Sequence, residues 1–180
     1  MATPKVAVII GSLRKGSFNR QLAQALEKLA GDTLEFAYVD IGGLPLYNQD
    51  DDENFPAASA RFKQAVESAD ALLFVSPEYN RSIPGVLKNA IDIGTRPAGK
   101  SCFTGKRAAV VGASPGAQGT VSAQQHLRNV LSAVGLAVLP QPEIAIQYRE
   151  GLIDENGVVT DERTRTFLQG FVQKFADWLA

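Results

Sequence analysis

Several things are scarce in this 180-residue chain, and each scarcity removes a class of function. Cys102 is the lone cysteine and His126 the lone histidine. A single cysteine excludes an internal disulfide framework and suits a reducing compartment, so the expected location is the cytoplasm. With one residue of each type, a Cys/His nucleophile and a His-rich metal site are both disfavoured. Cys102 and His126 are expected to be structural or surface groups. No apolar run approaches the roughly 18 residues that a membrane span needs. Met1-Ala2-Thr3-Pro4-Lys5 leads straight into an apolar segment and has no signal-peptide pattern. Neither sign of charge dominates: 18 Lys and Arg stand against 19 Asp and Glu, a formal net charge of −1. A nucleic-acid partner therefore has no global electrostatic support.

The usual nucleotide fingerprints are missing too. Gly11 and Gly16 have the spacing of a triphosphate-binding loop, but Ser17 and Phe18 follow where Lys and a hydroxyl residue belong. No G-x-G-x-x-G follows the first apolar run.

What is present is a recurring pattern of short apolar runs followed by amphipathic segments. Strands are expected at Lys5–Ile10, Leu34–Val39, Ala71–Ser76, Lys106–Val111 and Gly135–Leu139. Helices are expected at Ser17–Ala30, Pro56–Ala69, from Pro84, at Thr120–Val134 and at Asp161–Leu179. The first should bury Leu22, Ala23, Leu26 and Leu29 and stop at Gly31; the last should bury Phe167, Phe171, Phe175, Trp178 and Leu179. Ile41–Phe55, with the acidic run Asp50–Glu53, reads as a long surface loop and is assigned no metal. Pro140–Gly157 reads as irregular, with a short extended piece at Glu143–Gln147. Lys88 and Asn89 read as surface or packing residues. Five strands alternating with five helices, with no boundary between them, predict one domain over residues 1–180. The class is α/β: a five-stranded parallel sheet, order 2-1-3-4-5, with helices on both faces.

In such sheets ligands bind beyond the carboxyl ends of the strands. Three unusual loops fall there: Gly11–Ser17, Pro77–Ser82 and Ser114–Gly119, the last within a Gly-rich loop that reads as starting at Gly112. The first feeds a helix N-terminus, whose free N–H groups and dipole favour an anion. Ser12, Ser17 and Asn19 add hydrogen-bond donors, and Arg14 adds a charged one. This pattern suits one phosphate monoester, as in a flavin mononucleotide. The alternative is an ordinary strand-to-helix connection with Ser17 as N-cap.

Gly-Ser-Leu-Arg-Lys-Gly-Ser-Phe-Asn at 11–19, followed by Pro-Glu-Tyr-Asn-Arg-Ser-Ile-Pro-Gly-Val-Leu-Lys-Asn-Ala-Ile-Asp at 77–92, resembles the NADPH-dependent FMN reductase family, and within it the bacterial quinone and chromate reductases. The resemblance runs from Lys5 to about Pro142. It implies a flavodoxin-like three-layer fold, bound FMN, NADPH or NADH as hydride donor, and a homodimer or homotetramer. Carried onto this chain, it implies that Ser12, Arg14, Ser17, Phe18 and Asn19 hold the FMN phosphate. Pro77, Glu78, Tyr79 and Asn80 would run along the flavin ring, and Ser114 and Gly116 would flank it. The flavin would carry the chemistry, so no catalytic side chain is assigned. The implied activity is two-electron ping-pong transfer to a small-molecule acceptor: a quinone, an azo or nitro compound, or chromate. Alternatives are a flavin reductase that supplies reduced FMN to a partner, a flavodoxin-like electron carrier, and a flavin-binding sensor. One stretch departs from the family: where relatives commonly carry Gly-Gly-x-Arg, this chain has Gly119-Thr120-Val121-Ser122. Arg81 and Arg128 are the nearby arginines.

Overall fold

A computed structural model describes residues 2–180. In chain order the elements are β1 (Lys5–Ile10), α1 (Phe18–Ala30), β2 (Glu35–Val39), α2 (Ala57–Glu67), β3 (Ala71–Val75), α3 (Gly85–Gly94), β4 (Arg107–Ser114), α4 (Val121–Ala133), β5 (Ala137–Val138), β6 (Ile144–Gln147) and α5 (Glu162–Leu179). The strands pair in parallel in the order β2-β1-β3-β4-β5, and β6 also pairs with β4. This is the flavodoxin-like order expected from the sequence.

Strand alternation explains the three layers. Val6, Val8 and Ile10 of β1 face one core, shared with Leu22 and Leu26 of α1 and with Leu168, Phe171, Val172 and Phe175 of α5. Ala7 and Ile9 face the other, shared with Phe62 and Val66 of α2, Leu87 and Ile91 of α3, and Leu127 and Leu131 of α4. Because both faces are covered, the central strands are apolar at consecutive positions.

The helix ends follow from local chemistry. Ser17 caps α1, its Oγ accepting the Arg20 N–H at 3.3 Å. Gly31 ends α1 at φ +51°, a conformation most side chains avoid.

Three expectations need correction. The fifth position of the sheet is not one strand over Gly135–Leu139. It is split: Ala137 and Val138 pair with the start of β4, and Ile144–Gln147 pair with its end. Pro140 and Pro142 lie between them and have no N–H to give to a ladder. Second, β4 continues through Gly112 to Ser114, so the glycine-rich loop begins only after it. Third, Phe167 is 43% exposed, and Leu168 takes its place in the α5 stripe.

Candidate functional site

The site lies at the carboxyl ends of β1, β3 and β4, which are adjacent in the sheet. Strand order alone brings together three loops that are far apart in sequence.

The first loop leaves β1 at Gly11, whose N–H donates to Val75 O at 2.9 Å. A Cβ here would sit 3.2 Å from Leu87 Cδ2 and 3.3 Å from Pro77 Cδ, so glycine lets the loops after β1 and β3 pack closely. Ser12 and Ser17 are both buried. Ser17 Oγ is taken up by the Arg20 N–H, which leaves the Phe18 and Asn19 N–H groups as first-turn donors. The Arg14 guanidinium lies 4.6 Å from the centre of the Phe18 ring, which also stacks on Tyr148 at 4.1 Å.

Asn19 has a different part from the one expected of its side chain. It is buried, and its amide grips β4 at both polar atoms of Ala113: Oδ1 accepts the N–H and Nδ2 donates to the carbonyl, each at 2.9 Å. The side chain therefore joins the α1 N-terminus to β4, and its backbone N–H remains for a ligand.

The second loop is a tight hairpin. Tyr79 and Ser82 exchange backbone hydrogen bonds of 2.9 and 3.0 Å, and the two residues between them have positive φ, 51° at Asn80 and 66° at Arg81. That is the geometry of a type I′ turn, which favours Asn followed by Gly. Asn80 suits its place; Arg81 in the left-handed region costs about 1 kcal/mol. Three side-chain contacts reach out from the hairpin. Glu78 Oε2 accepts the Ala123 N–H at 3.0 Å, so a carboxylate from the β3 loop caps α4. Ser82 Oγ lies 3.0 Å from His126 Nδ1, and Arg81 Nη1 donates to Gln118 Oε1 at 3.0 Å. Thr120 stands at the N-cap position, but its hydroxyl accepts from Gln124 Nε2 instead of capping.

The third loop, Ser114–Gly119, is held by Ser114: its Oγ donates to Gly119 O and accepts the Gly116 N–H. The floor beneath it needs glycine. A Cβ on Gly112 would lie 2.2 Å from Ser76 O, and one on Gly119 would lie 2.7 Å from the carbonyl carbon of Ala145. Between the second and third loops is a cleft of about 610 Å³, lined by Glu78, Asn80, Arg81 and residues 114–119. Pro77 is packed beneath Gly11, and Tyr79 stands half exposed at the foot of the hairpin.

These features suit FMN: buried hydroxyls, Arg14 and free amides for a phosphate, and an open cleft for a ring. Residues 4–151 match the model of the NADPH-dependent FMN reductases. The chain belongs to this family. It is accordingly a flavoprotein oxidoreductase that uses FMN and NAD(P)H. Among the similar FMN reductases and their relatives, a 2-hydroxy-1,4-benzoquinone reductase of Burkholderia sp. is 52% identical over 175 residues, covering 97% of this chain and 96% of that one. A quinone reductase of Pseudomonas putida is 49% identical, covering 97% and 94%. In three dimensions the chain superposes with a TM-score of 0.95 on a flavoenzyme NAD(P)H:(acceptor) oxidoreductase from Paracoccus denitrificans, 48% identical, with 98% and 97% covered.

The local sequence around Tyr148, Arg81, Gln118 and His126 carries no pattern that marks them as site residues. Tyr148 follows β6, donates its hydroxyl to Gln21 Oε1 and has its pKa raised by burial, then by the charge of Glu150. Its partners are more than 120 residues away in the chain, so no local pattern marks it. Cys102 is buried and its thiol is pushed up to about 12 by burial, which keeps it protonated at neutral pH. Lys88 pairs with Asp92 at 2.7 Å on α3, and Asn89 pins the long loop by bonding Tyr47 N and Pro45 O.

Proposed function

We propose that the chain is an FMN-dependent NAD(P)H oxidoreductase that reduces quinones. The observation carrying this reading is the convergence of the β1, β3 and β4 loops in a member of the FMN reductase family. When bound, FMN supplies the two-electron redox chemistry. The chain supplies placement and electrostatics.

Ser12, Ser17, Arg14 and the backbone N–H groups of Phe18 and Asn19 hold the phosphate, aided by the positive end of α1. Phe18 keeps Arg14 in place by stacking. Pro77, Glu78, Tyr79 and Asn80 run along one edge of the ring, and Ser114 and Gly116 flank it. Glu78 acts through α4: by capping Ala123 N it fixes the distance between two cleft walls. Gly112 and Gly119 let the main chain come close enough to form the floor.

Azo compounds, nitro compounds and chromate are further acceptors for the same open cleft. Residues 1–180 act as one FMN-binding domain. The chain works in the cytoplasm as a homodimer or homotetramer, in which a second copy covers exposed apolar groups such as Leu13, Leu46 and Tyr79. Among the described residues no helix is long and apolar enough to cross a membrane.

The test is the visible spectrum of the purified protein, titrated with NADPH without oxygen and then with a quinone. Flavin absorbance that bleaches with NADPH and returns with quinone is the expected result. Protein that retains no FMN through gel filtration would overturn bound-flavin catalysis and favour release of reduced flavin.

A further inference from the structure

Arg81 is an unusual residue for its position. The second central place of a type I′ turn favours glycine, yet this chain keeps a long charged side chain there, at φ 66°. Strain of this kind is a reason to ask what the side chain does.

Its surroundings give an answer. Arg81 is exposed and, among the described residues, is the only cationic side chain lining the cleft. Among the described residues it has no carboxylate within 4 Å. The single acidic side chain of the lining, Glu78, is turned onto the α4 N-terminus. One guanidinium N–H bonds the neutral amide oxygen of Gln118, which leaves four of the five donors without a side-chain partner. Nor does the hairpin depend on that bond for its place, since Glu78–Ala123 and Ser82–His126 tether it independently.

We propose that Arg81 is a specificity-determining residue that recognises an oxyanion at the mouth of the cleft. Gln118 is its neutral placeholder. An anion forms the shorter, charge-assisted, forked contact that an amide oxygen cannot, and takes its place. The oxyanion belongs to a molecule that exchanges electrons in this cleft: a phosphate of the nicotinamide donor, or an ionised oxygen of the acceptor. The proposal rests on the FMN reading of the cleft and adds the charge preference of what enters it.

The test uses holoenzyme whose flavin absorbance is recorded before mixing, so a failure of the FMN reading shows at that step. Rapid-mixing rates are measured for wild type, Arg81→Gly and Arg81→Lys with NADH, NADPH, 1,4-benzoquinone and a ring-sulfonated benzoquinone. Arg81→Gly is expected to lose about tenfold in the second-order rate constant with an anionic partner and to stay within about threefold with neutral benzoquinone. Arg81→Lys should recover part of the loss. Raised ionic strength should slow the wild type with that partner and leave Arg81→Gly little changed. Losses in the donor half-reaction that are larger for NADPH than NADH assign the anion to the 2′-phosphate, and equal losses assign it to the pyrophosphate. A loss confined to the sulfonated quinone assigns it to the acceptor. Glycine also relieves the turn, so Arg81→Gly should melt higher than wild type while discriminating less. Equal losses with all four reactants, or no loss with any, would overturn the proposal.

Discussion

The α1 corner and the cleft beside it are built from different ranges of the chain. At the corner, Ser12 to Asn19 are consecutive or nearly so, and the donors come from one loop and the first turn of one helix. In the cleft, the hairpin wall is fixed from far away: Glu78 by Ala123 and Ser82 by His126. A phosphate is small and needs only a few donors converging on one point, which a helix N-terminus already supplies. A flat ring needs two walls at a set spacing, and no single segment can make both. Asn19 joins the two regions, because its backbone belongs to the corner and its amide grips the β4 strand that leads into the cleft.

Substitutions sharpen or break this contrast. The largest effect is expected for Gly112→Ala. Its Cβ would lie 2.2 Å from Ser76 O and 2.3 Å from Thr120 Oγ1, so backbone must shift. Chemical denaturation should report a loss of about 3 kcal/mol or more. Near-wild-type stability would mean that the cleft floor adapts as freely as a surface loop. Asn19→Ala comes next. It leaves a buried N–H and a buried carbonyl of Ala113 unpaired, with an expected cost of about 2–3 kcal/mol and weaker flavin retention from both regions at once.

Arg14→Ala should act on the corner alone. Flavin titration should show a dissociation constant raised roughly 10- to 30-fold, the worth of a charge-assisted contact of about 2 kcal/mol. An unchanged constant would remove Arg14 from the phosphate site. Smallest is Glu78→Ala, which uncaps α4 at Ala123 and should lower stability by about 1 kcal/mol in thermal unfolding. Glu78→Gln, which keeps an acceptor, should lose about half as much. An equal loss in both variants would mean that charge, and not the cap, sets the effect.

Legibility in the sequence follows the same division. Ser17 as a cap, Gly31 as a stop and β1 as a buried strand each depend on neighbours a few residues apart, and each is where the sequence puts it. The errors lie where distant contacts decide. Phe167 and Leu168 are both apolar, and only the docking angle of α5 selects Leu168 for burial. The break between β5 and β6 has its local cause in two prolines, but the return of Ile144–Gln147 to β4 depends on the exposed edge of a strand that begins at Arg107. Tyr148 sits in a stretch with no regular pattern and gains its place from Phe18 and Gln21.

The sequence by itself determined the alternation of strands and helices, the Ser17-capped start of α1, and membership of a flavin-dependent family, because periodicity, capping and short motifs are properties of adjacent residues. Tertiary structure alone decided that Asn19 grips β4, that Glu78 caps a helix 45 residues away, and that Arg81 stands nearly unpartnered over the cleft. Those roles depend on which strand ends become neighbours. The order of strands in the sheet sets that, by burying apolar surface on both faces at once.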